Sequence, residues 1–507
     1  MRRSGLAGML LLAAATLFAS TDARAADLKG GTLRVAILAD VQNFDPQQFT
    51  TLNFPLIKNL YDSLIEYTAE GQAIPSLAAS WKVAADNKSV TLILRKDVKF
   101  HSGAPFNADA VVATLKKAAD PQKGKNVYAT MSIVKDWVVA DPYTVTLNFT
   151  GPAPDKQITD LLQFISIIEA AGIDTVETKA AGTGAFTLAE RVLGQKIRMV
   201  ANKSYWREKE PVVGEIVLTV FSDNDAASAA LESGAVDIVY GGNGRSAVRL
   251  RNAGFQLIQG PGPLVQVFRI NTTQGPFKNE KYRQAFNYLM DRDAILKVGY
   301  AGLGQVTALP WAPASPAVDK SYDASFAFNL DKAKDLLKAS GLSAAEMSDW
   351  KLLVNGGDQD AVAISQVVQS TLAKVGVTTQ LDLKQGSEFI EALLAGRFAA
   401  VFGGIGNIQK FPTRVATNSI YRTTKNPVLG EPHPFPAYVA AIDRVEKTLG
   451  PDVKAAYDNL NKVLVESAFG IPTNTFDLGL IVAAKNVGGI TREIDNMLVA
   501  RTIGFNP

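Results

Sequence analysis

The 507-residue chain has no cysteine and only two histidines, His101 and His433. No disulfide can form, so the fold rests on packing alone, which a chain of this size can supply from its own cores. A zinc site of the usual Cys/His kind is excluded, and so is a lipid carried on an N-terminal cysteine. Catalytic signatures are missing too. There is no G-x-S-x-G elbow and no Walker A loop. The runs GTGAF, GLGQV and GGIGNI each supply G-x-G, but none completes the G-x-x-G that dinucleotide binding needs. Neither a dense Lys/Arg tract nor a repeat nor a low-complexity stretch occurs. Aromatics make up 8% of the residues, and the five tryptophans, Trp81, Trp137, Trp206, Trp311 and Trp350, are widely spaced. Core or lobe packing accounts for most of them. For Trp311, in the proline-rich LPWAPASP, ligand contact stays open beside packing.

What is present points to a globular, exported chain. It is 47% hydrophobic and 20% charged, close to globular averages, and long enough for two or three domains of about 100–200 residues. Arg2 and Arg3 precede an apolar run from Leu6 to Ala19, and Ala23-Arg24-Ala25 follows. That order predicts a secretory signal peptide over residues 1–25. The run is shorter than the roughly 20 residues a membrane span needs. Losing three arginines and Asp22 with it takes the net charge from +3 to +1, so charge does not argue for a nucleic-acid partner. Export without a lipid anchor predicts a soluble protein of a Gram-negative periplasm.

The early half is rich in strands: GGTLRVAIL (Gly30 to Leu38), SVTLILR (Ser89 to Arg95), YTVTLNF (Tyr143 to Phe149), then KIRMVAN and EIVLTVF. The later half alternates strand and helix, with WKLLVNG, VTTQLDL and FAAVFGG separated by helical stretches. That rhythm predicts a mostly parallel sheet. Residues Asn279 to Tyr300 read as helix, with Tyr282, Ala285, Phe286 and Leu289 on one face. FRIN (Phe268 to Asn271) and IPTNTF (Ile471 to Phe476) are the expected joints between lobes.

His101, Ser102 and Asp109 fall close together and invite a catalytic reading. Neighbours in an extended strand point to opposite faces, so His101 and Ser102 make no ready pair. Asn107 is the predicted N-cap of the helix NADAVVATLKK, and Asp109 sits in its first turn, where the helix dipole favours an anion. Gly103 and Pro105 form the turn between. Capping is likewise the default for Asp358 and Asp360, and for Asp291 and Asp293.

Four stretches, in chain order, carry a resemblance. They are PSLAASWKVAADNKSVTLILRKDVKFHSGAPFNADAV, GTGAFTLAERVLGQKIRMVANKSYW, SDNDAASAALESGAVDIVYG and GPFKNEKYRQAFNYLMDRDAI. Together they resemble the dipeptide, oligopeptide and nickel solute-binding proteins of ABC importers, bacterial extracellular solute-binding protein family 5. The resemblance implies an α/β, two-lobed periplasmic binding protein fold (type II, cluster C) with an extra subdomain on lobe I. The expected division is 26–268 for lobe I, with the subdomain at about 70–185, then 269–474 for lobe II and 475–507 returning to lobe I. It further implies a monomer that takes a peptide or small molecule in the cleft by hinge closure, without cofactor, metal or catalysis. Delivery is to a membrane permease with its ATPase. Peptide-binding members carry an aspartate for the ligand's ammonium in a segment that here reads GGIGNIQKFPTR, Gly403 to Arg414. Ile408 stands at the aspartate's place and the segment holds no carboxylate, while Lys410 and Arg414 are basic. A non-peptide ligand (opine, oligosaccharide, sugar-phosphate or metal chelate) therefore stays open beside a peptide. The resemblance places Ile405, Asn407, Gln409, Phe411 and Arg414 at the ligand, and through VNGGDQD also Asn355 and Asp360, for which caps and turns remain an equal reading.

Overall fold

A computed structural model describes residues 30–507 except 49, 261, 407–410, 425, 427, 431, 432 and 494. The predicted signal peptide lies outside the described residues.

The α/β expectation holds. A first sheet has seven strands in the order Gln256–Ile258, Ile481–Ala483, Ile238–Tyr240, Thr32–Ile37, Glu215–Val220, Lys196–Ala201, Phe186–Val192. Its centre, Thr32–Ile37, serves two cores: Leu33, Val35 and Ile37 enter one and Ala36 another, as the two-residue period of a strand dictates, while Thr32 and Arg34 on the Ala36 face are exposed. A four-stranded antiparallel sheet, running Ala78–Val83, Ser89–Leu94, Thr144–Phe149, Val134–Asp141, adds a subdomain to this lobe.

The second lobe has six strands in the order Gln305–Val306, Gly470–Phe476, Leu264–Ile270, Ala400–Gly406, Lys351–Asn355, Gln380–Lys384. The strand–helix rhythm of the later half does yield parallel pairs, Lys351–Asn355 with both Gln380–Lys384 and Ala400–Gly406. The sheet as a whole is not mostly parallel, however, because its other three pairings are antiparallel. Leu264–Ile270 enters from the first lobe, Gly470–Phe476 returns toward it, and the two run antiparallel side by side, whereas parallel pairing needs a crossover helix between strands.

That pairing also moves the joints. Phe268 to Ile270 of FRIN and all of IPTNTF lie within strands that pair with each other. The chain passes between the two sheets after Ile258 and before Leu264, and again at 477–480, so the strand beginning at Leu264 belongs wholly to the second sheet. On one side of these crossings the lobes share a core. Ala36, Val239, Ala247 and Leu250 of the first cluster with Ile270, Tyr300, Ile364 and Phe476 of the second.

Asn279 to Tyr300 is two helices, Glu280–Tyr288 and Arg292–Tyr300. Asp291 breaks the run by capping the second, accepting from the Ala294 amide at 3.0 Å. Arg292 then turns inward, donating to the carbonyls of Thr307, Pro472 and Phe326 and to Asn287 Oδ1. Burial pushes its guanidinium down to about 10. Periodicity could not show this break, since the apolar face continues through it.

The His101 stretch is a strand–turn–helix unit. Asn107 Oδ1 accepts from the Asp109 and Ala110 amides at 3.0 and 3.4 Å and opens the helix Ala108–Ala118. Gly103 makes the turn at φ +90°, a conformation open to glycine at little steric cost. Ser102 Oγ donates to Glu169 at 2.7 Å, and His101 Nε2 meets the Gly184 carbonyl at 3.1 Å. Burial pushes the imidazole below its ordinary value, so it is neutral at pH 7. Ser102→Ala removes two exposed hydrogen bonds, the one to Glu169 and one accepted from the Ala104 amide, and an unchanged ligand affinity in calorimetry is the expected result.

Candidate functional site

The space between the lobes is bounded by the crossings behind and by polar contacts in front. At the crossings, the Asp477 carboxylate is fully buried. It accepts from the Gly260 amide on one crossing and the Gly479 amide on the other, and pairs with Arg492 at 2.9 Å. Behind them Gly244 packs on Tyr300, where an added Cβ would stand 2.5 Å from the Tyr300 carbonyl oxygen. In the same region Arg245 of the first lobe reaches Asp360 of the second at 2.6 Å.

In front, the helix Asp155–Phe164 of the first lobe meets Phe411 of the second. Asp160 Oδ2 accepts from the Phe411 amide at 2.6 Å, and its Oδ1 accepts from the Tyr67 hydroxyl at 2.8 Å. Beside it Arg414 Nη1 donates to the Ala129 carbonyl at 2.9 Å. Arg414 is thus a bridge from lobe to lobe, and burial pushes its guanidinium below the ordinary value. Near the crossings a cavity of about 180 Å³ is lined by Leu38, Ala39, Leu52, Tyr240, Gly241 and Leu478. It sits past the end of Thr32–Ile37, where ligands of open α/β sheets bind, outside the carboxyl ends of the strands.

The eight residues proposed from sequence are distributed unevenly. Phe411 and Arg414 stand at the front contact. Ile405 is buried in the second lobe's core, with Phe411's ring in the same cluster. Asn407 and Gln409 lie outside the described residues. Asn355 ends a strand, and its Oδ1 accepts from the Gly357 amide at 3.1 Å, a turn. Asp360 stands behind the crossings in the ion pair with Arg245; burial pushes its carboxyl up and the arginine opposes this. Asp358 caps the following helix through the Asp360 and Ala361 amides. Trp311 is 2% exposed, and its indole N–H donates to Asn461 at 2.6 Å, while its side lines a cavity of about 250 Å³ with Asp319, Lys320 and Thr475. Asp160, Tyr67, Tyr240 and Arg492 escaped the sequence reading. Asp160, Tyr67 and Arg492 lie outside the stretches that carry the resemblance, and Tyr240 lies inside one of them without being marked by it. Among the described residues no group of three or more His, Asp or Glu is placed to hold a metal ion, and no helix is long and apolar enough to cross a membrane.

Two sheets joined by a pair of crossings, with a cleft between, define a two-lobed binding protein of the periplasmic type. The Brucella suis protein NikA, solved with Fe(III)-EDTA, shares this fold at a TM-score of 0.82, with 23% identity over 94% of this chain and 99% of that one. The chain belongs to the bacterial extracellular solute-binding proteins, family 5, whose middle region matches residues 72–426. Among relatives, heme-binding protein A of Haemophilus influenzae is 26% identical over 69% of this chain and 69% of its own length. The glutathione-binding protein GsiB of Salmonella choleraesuis is 27% identical over 73% of this chain and 71% of its own. All three are binding proteins by name or by the ligand they were solved with.

Proposed function

We propose that this chain is the soluble periplasmic receptor of an ABC importer. It captures a peptide or peptide-like solute between its lobes and delivers it to a permease driven by an ATPase, without performing chemistry on it. The lobes are residues 30–258 with the return from 481, and 264–476. Closure turns about the two crossings, at Gly260 and at 477–480. The observation that carries the reading is the front contact: Phe411 and Arg414, from the segment that aligns with the family's ligand segment, reach across to Asp160 and Ala129. Contacts of this kind form only when the lobes are together, so a solute bound between them shifts the population toward the closed form.

A non-peptide solute is the second reading, favoured by one observation. Gly403 to Arg414 holds no carboxylate for a ligand ammonium. A heme-binding relative and the Fe(III)-EDTA complex are in keeping with a chelate. Calorimetry against glutathione, trialanine, an opine, an oligosaccharide and Fe(III)-EDTA decides between them. One of these is expected to bind, with a smaller radius of gyration in solution scattering. Arg414→Ala loses the lobe-to-lobe bond and is expected to weaken that ligand about tenfold. Turnover of an ester or peptide with no ligand binding would overturn the receptor reading.

A further inference from the structure

The corner of the cleft beside the crossings holds more hydrogen-bonding capacity than the chain uses. Arg492 and Asn496 of the return segment press on both crossing strands. A Cβ added at Gly260 would stand 3.0 Å from Arg492 Nε and 2.9 Å from Asn496 Oδ1, and one at Gly479 would stand 2.2 Å from the Asn496 carbonyl oxygen. Glycine at both places is what lets the two side chains come this close.

Arg492 works through Nη2 alone, which donates to both oxygens of Asp477 at 2.9 Å and to Asn496 Oδ1 at 3.3 Å. Among the described residues its Nε and Nη1 are enclosed and meet no acceptor, and neither does Asn496 Nδ2. Asn496 is 1% exposed. Buried donors in folded chains are nearly always answered, and three orphans on two touching side chains call for an acceptor from outside the chain. The corner adjoins the cavity of about 180 Å³ through Tyr240, which lines that cavity and whose hydroxyl donates to the Asn496 carbonyl at 2.7 Å. Asp495, next along the segment, accepts from Gln163 at 2.8 Å. Gln163 is three residues from Asp160, on the same face of the helix that meets Phe411 in front.

We propose that Arg492 and Asn496 form a carboxylate-binding subsite at the hinge end of the cleft. It takes the terminal carboxylate of a peptide or an acid arm of a peptide-like solute. This rests on the receptor reading above and gives it a chemical requirement. Asp477 already offsets the charge of Arg492, so the subsite offers directed N–H groups rather than a net positive field. A planar, singly charged carboxylate suits those groups better than a multiply charged phosphate. Ligand here would also touch the residues that hold the two crossings together, so binding and hinge geometry are coupled at one point.

Two variants test it. Asn496→Asp keeps shape and sets a like charge against a bound carboxylate. Asn496→Gly removes Nδ2 and suits the left-handed backbone there, φ +64°. Affinities are measured for glutathione, trialanine and Fe(III)-EDTA, and for the methyl esters of the two peptides. For a carboxylate probe that binds the parent chain, about tenfold weaker binding is expected in Asn496→Asp, with a smaller loss in Asn496→Gly. The ester is expected to bind the parent weakly and to lose nothing further. Equal binding of acid and ester, or unchanged affinity in both variants while thermal midpoints match the parent, overturns the subsite and leaves the receptor reading standing. If no probe binds the parent chain at all, both fall.

Discussion

Asp477→Asn is expected to lower stability by about 3–5 kcal/mol at neutral pH, seen as a lower urea midpoint. The substitution keeps the side-chain volume, so no cavity is made and the loss isolates the charge and its hydrogen bonds. Asp477 answers donors on both oxygens: the Gly260 amide and Arg492 on Oδ2, the Gly479 amide and Arg492 on Oδ1. Asparagine offers one acceptor oxygen and turns an NH₂ toward donors that cannot accept. Arg492, 8% exposed in its side chain, keeps its charge with no anion paired to it. Leaving one partner of a buried pair uncompensated is the costly half of such an exchange, whatever the pair itself contributes.

The same variant separates the hinge from the rest of the first lobe. Asp477 ties the crossing at Gly260 to the crossing at 477–480 and both to the return segment. Its loss is therefore expected to raise the amide exchange of Gly260 and Gly479 far more than that of Leu33 or Val35, in the fully buried centre of the sheet. Arg492→Leu added to Asp477→Asn removes the stranded charge and is expected to recover part of the loss. A midpoint for Asp477→Asn within about 0.5 kcal/mol of the parent would show that the carboxylate does not hold the crossings.

Local signals in the sequence were read correctly where one physical cause decides them. The cap at Asn107, the strands SVTLILR and YTVTLNF, and the start of the helix after Asp358 follow from backbone donors and side-chain alternation within a few residues. The joints were misplaced because FRIN and IPTNTF are apolar β-formers whose partners lie about two hundred residues apart; pairing across that distance leaves no local mark. The break at Asp291 was hidden for a related reason, as the inward turn of Arg292 depends on carbonyls from Thr307, Phe326 and Pro472. At the cleft, a segment could be picked out around Phe411 and Arg414 only through family resemblance. The facing Asp160 could not be, because a carboxylate on an amphipathic helix has the sequence signature of any solvated residue.

Lys58→Met is the second large effect, and its size is expected to depend on pH. Lys58 is 4% exposed, with Glu493 at 3.3 Å and Asp495 at 3.9 Å. Around them Arg501 reaches Glu66, Glu210 and Glu493, and Arg207 reaches Glu66. Four carboxylates thus share three cations. Burial pushes the Glu493 carboxyl above its ordinary value, with Asp495 adding to this and Lys58 opposing it. Burial alone would lower Lys58, but the pull of Glu493, Asp495 and Glu66 wins and raises it. A raised lysine contributes its full stability below its unfolded value of 10.5 and loses it only above that, so Lys58 itself is constant from weakly acid to weakly basic pH. Methionine fills the same space without the charge and leaves the excess of carboxylates at two. At about pH 8 the expected loss is about 3–5 kcal/mol. As pH falls, Glu493 gains a proton in the folded state at a pH where the unfolded chain still has it ionised. Folded protein then binds more protons than unfolded, and stability rises toward acid in that window. The gap between variant and parent should therefore narrow from about pH 8 to about pH 5, because the variant's Glu493 is raised further than the parent's. Urea midpoints of both proteins across that range check it. A gap that stays constant would mean that Glu493 is not the group left uncompensated, and a gap under about 1 kcal/mol throughout would mean that Lys58 holds no net charge balance in this core.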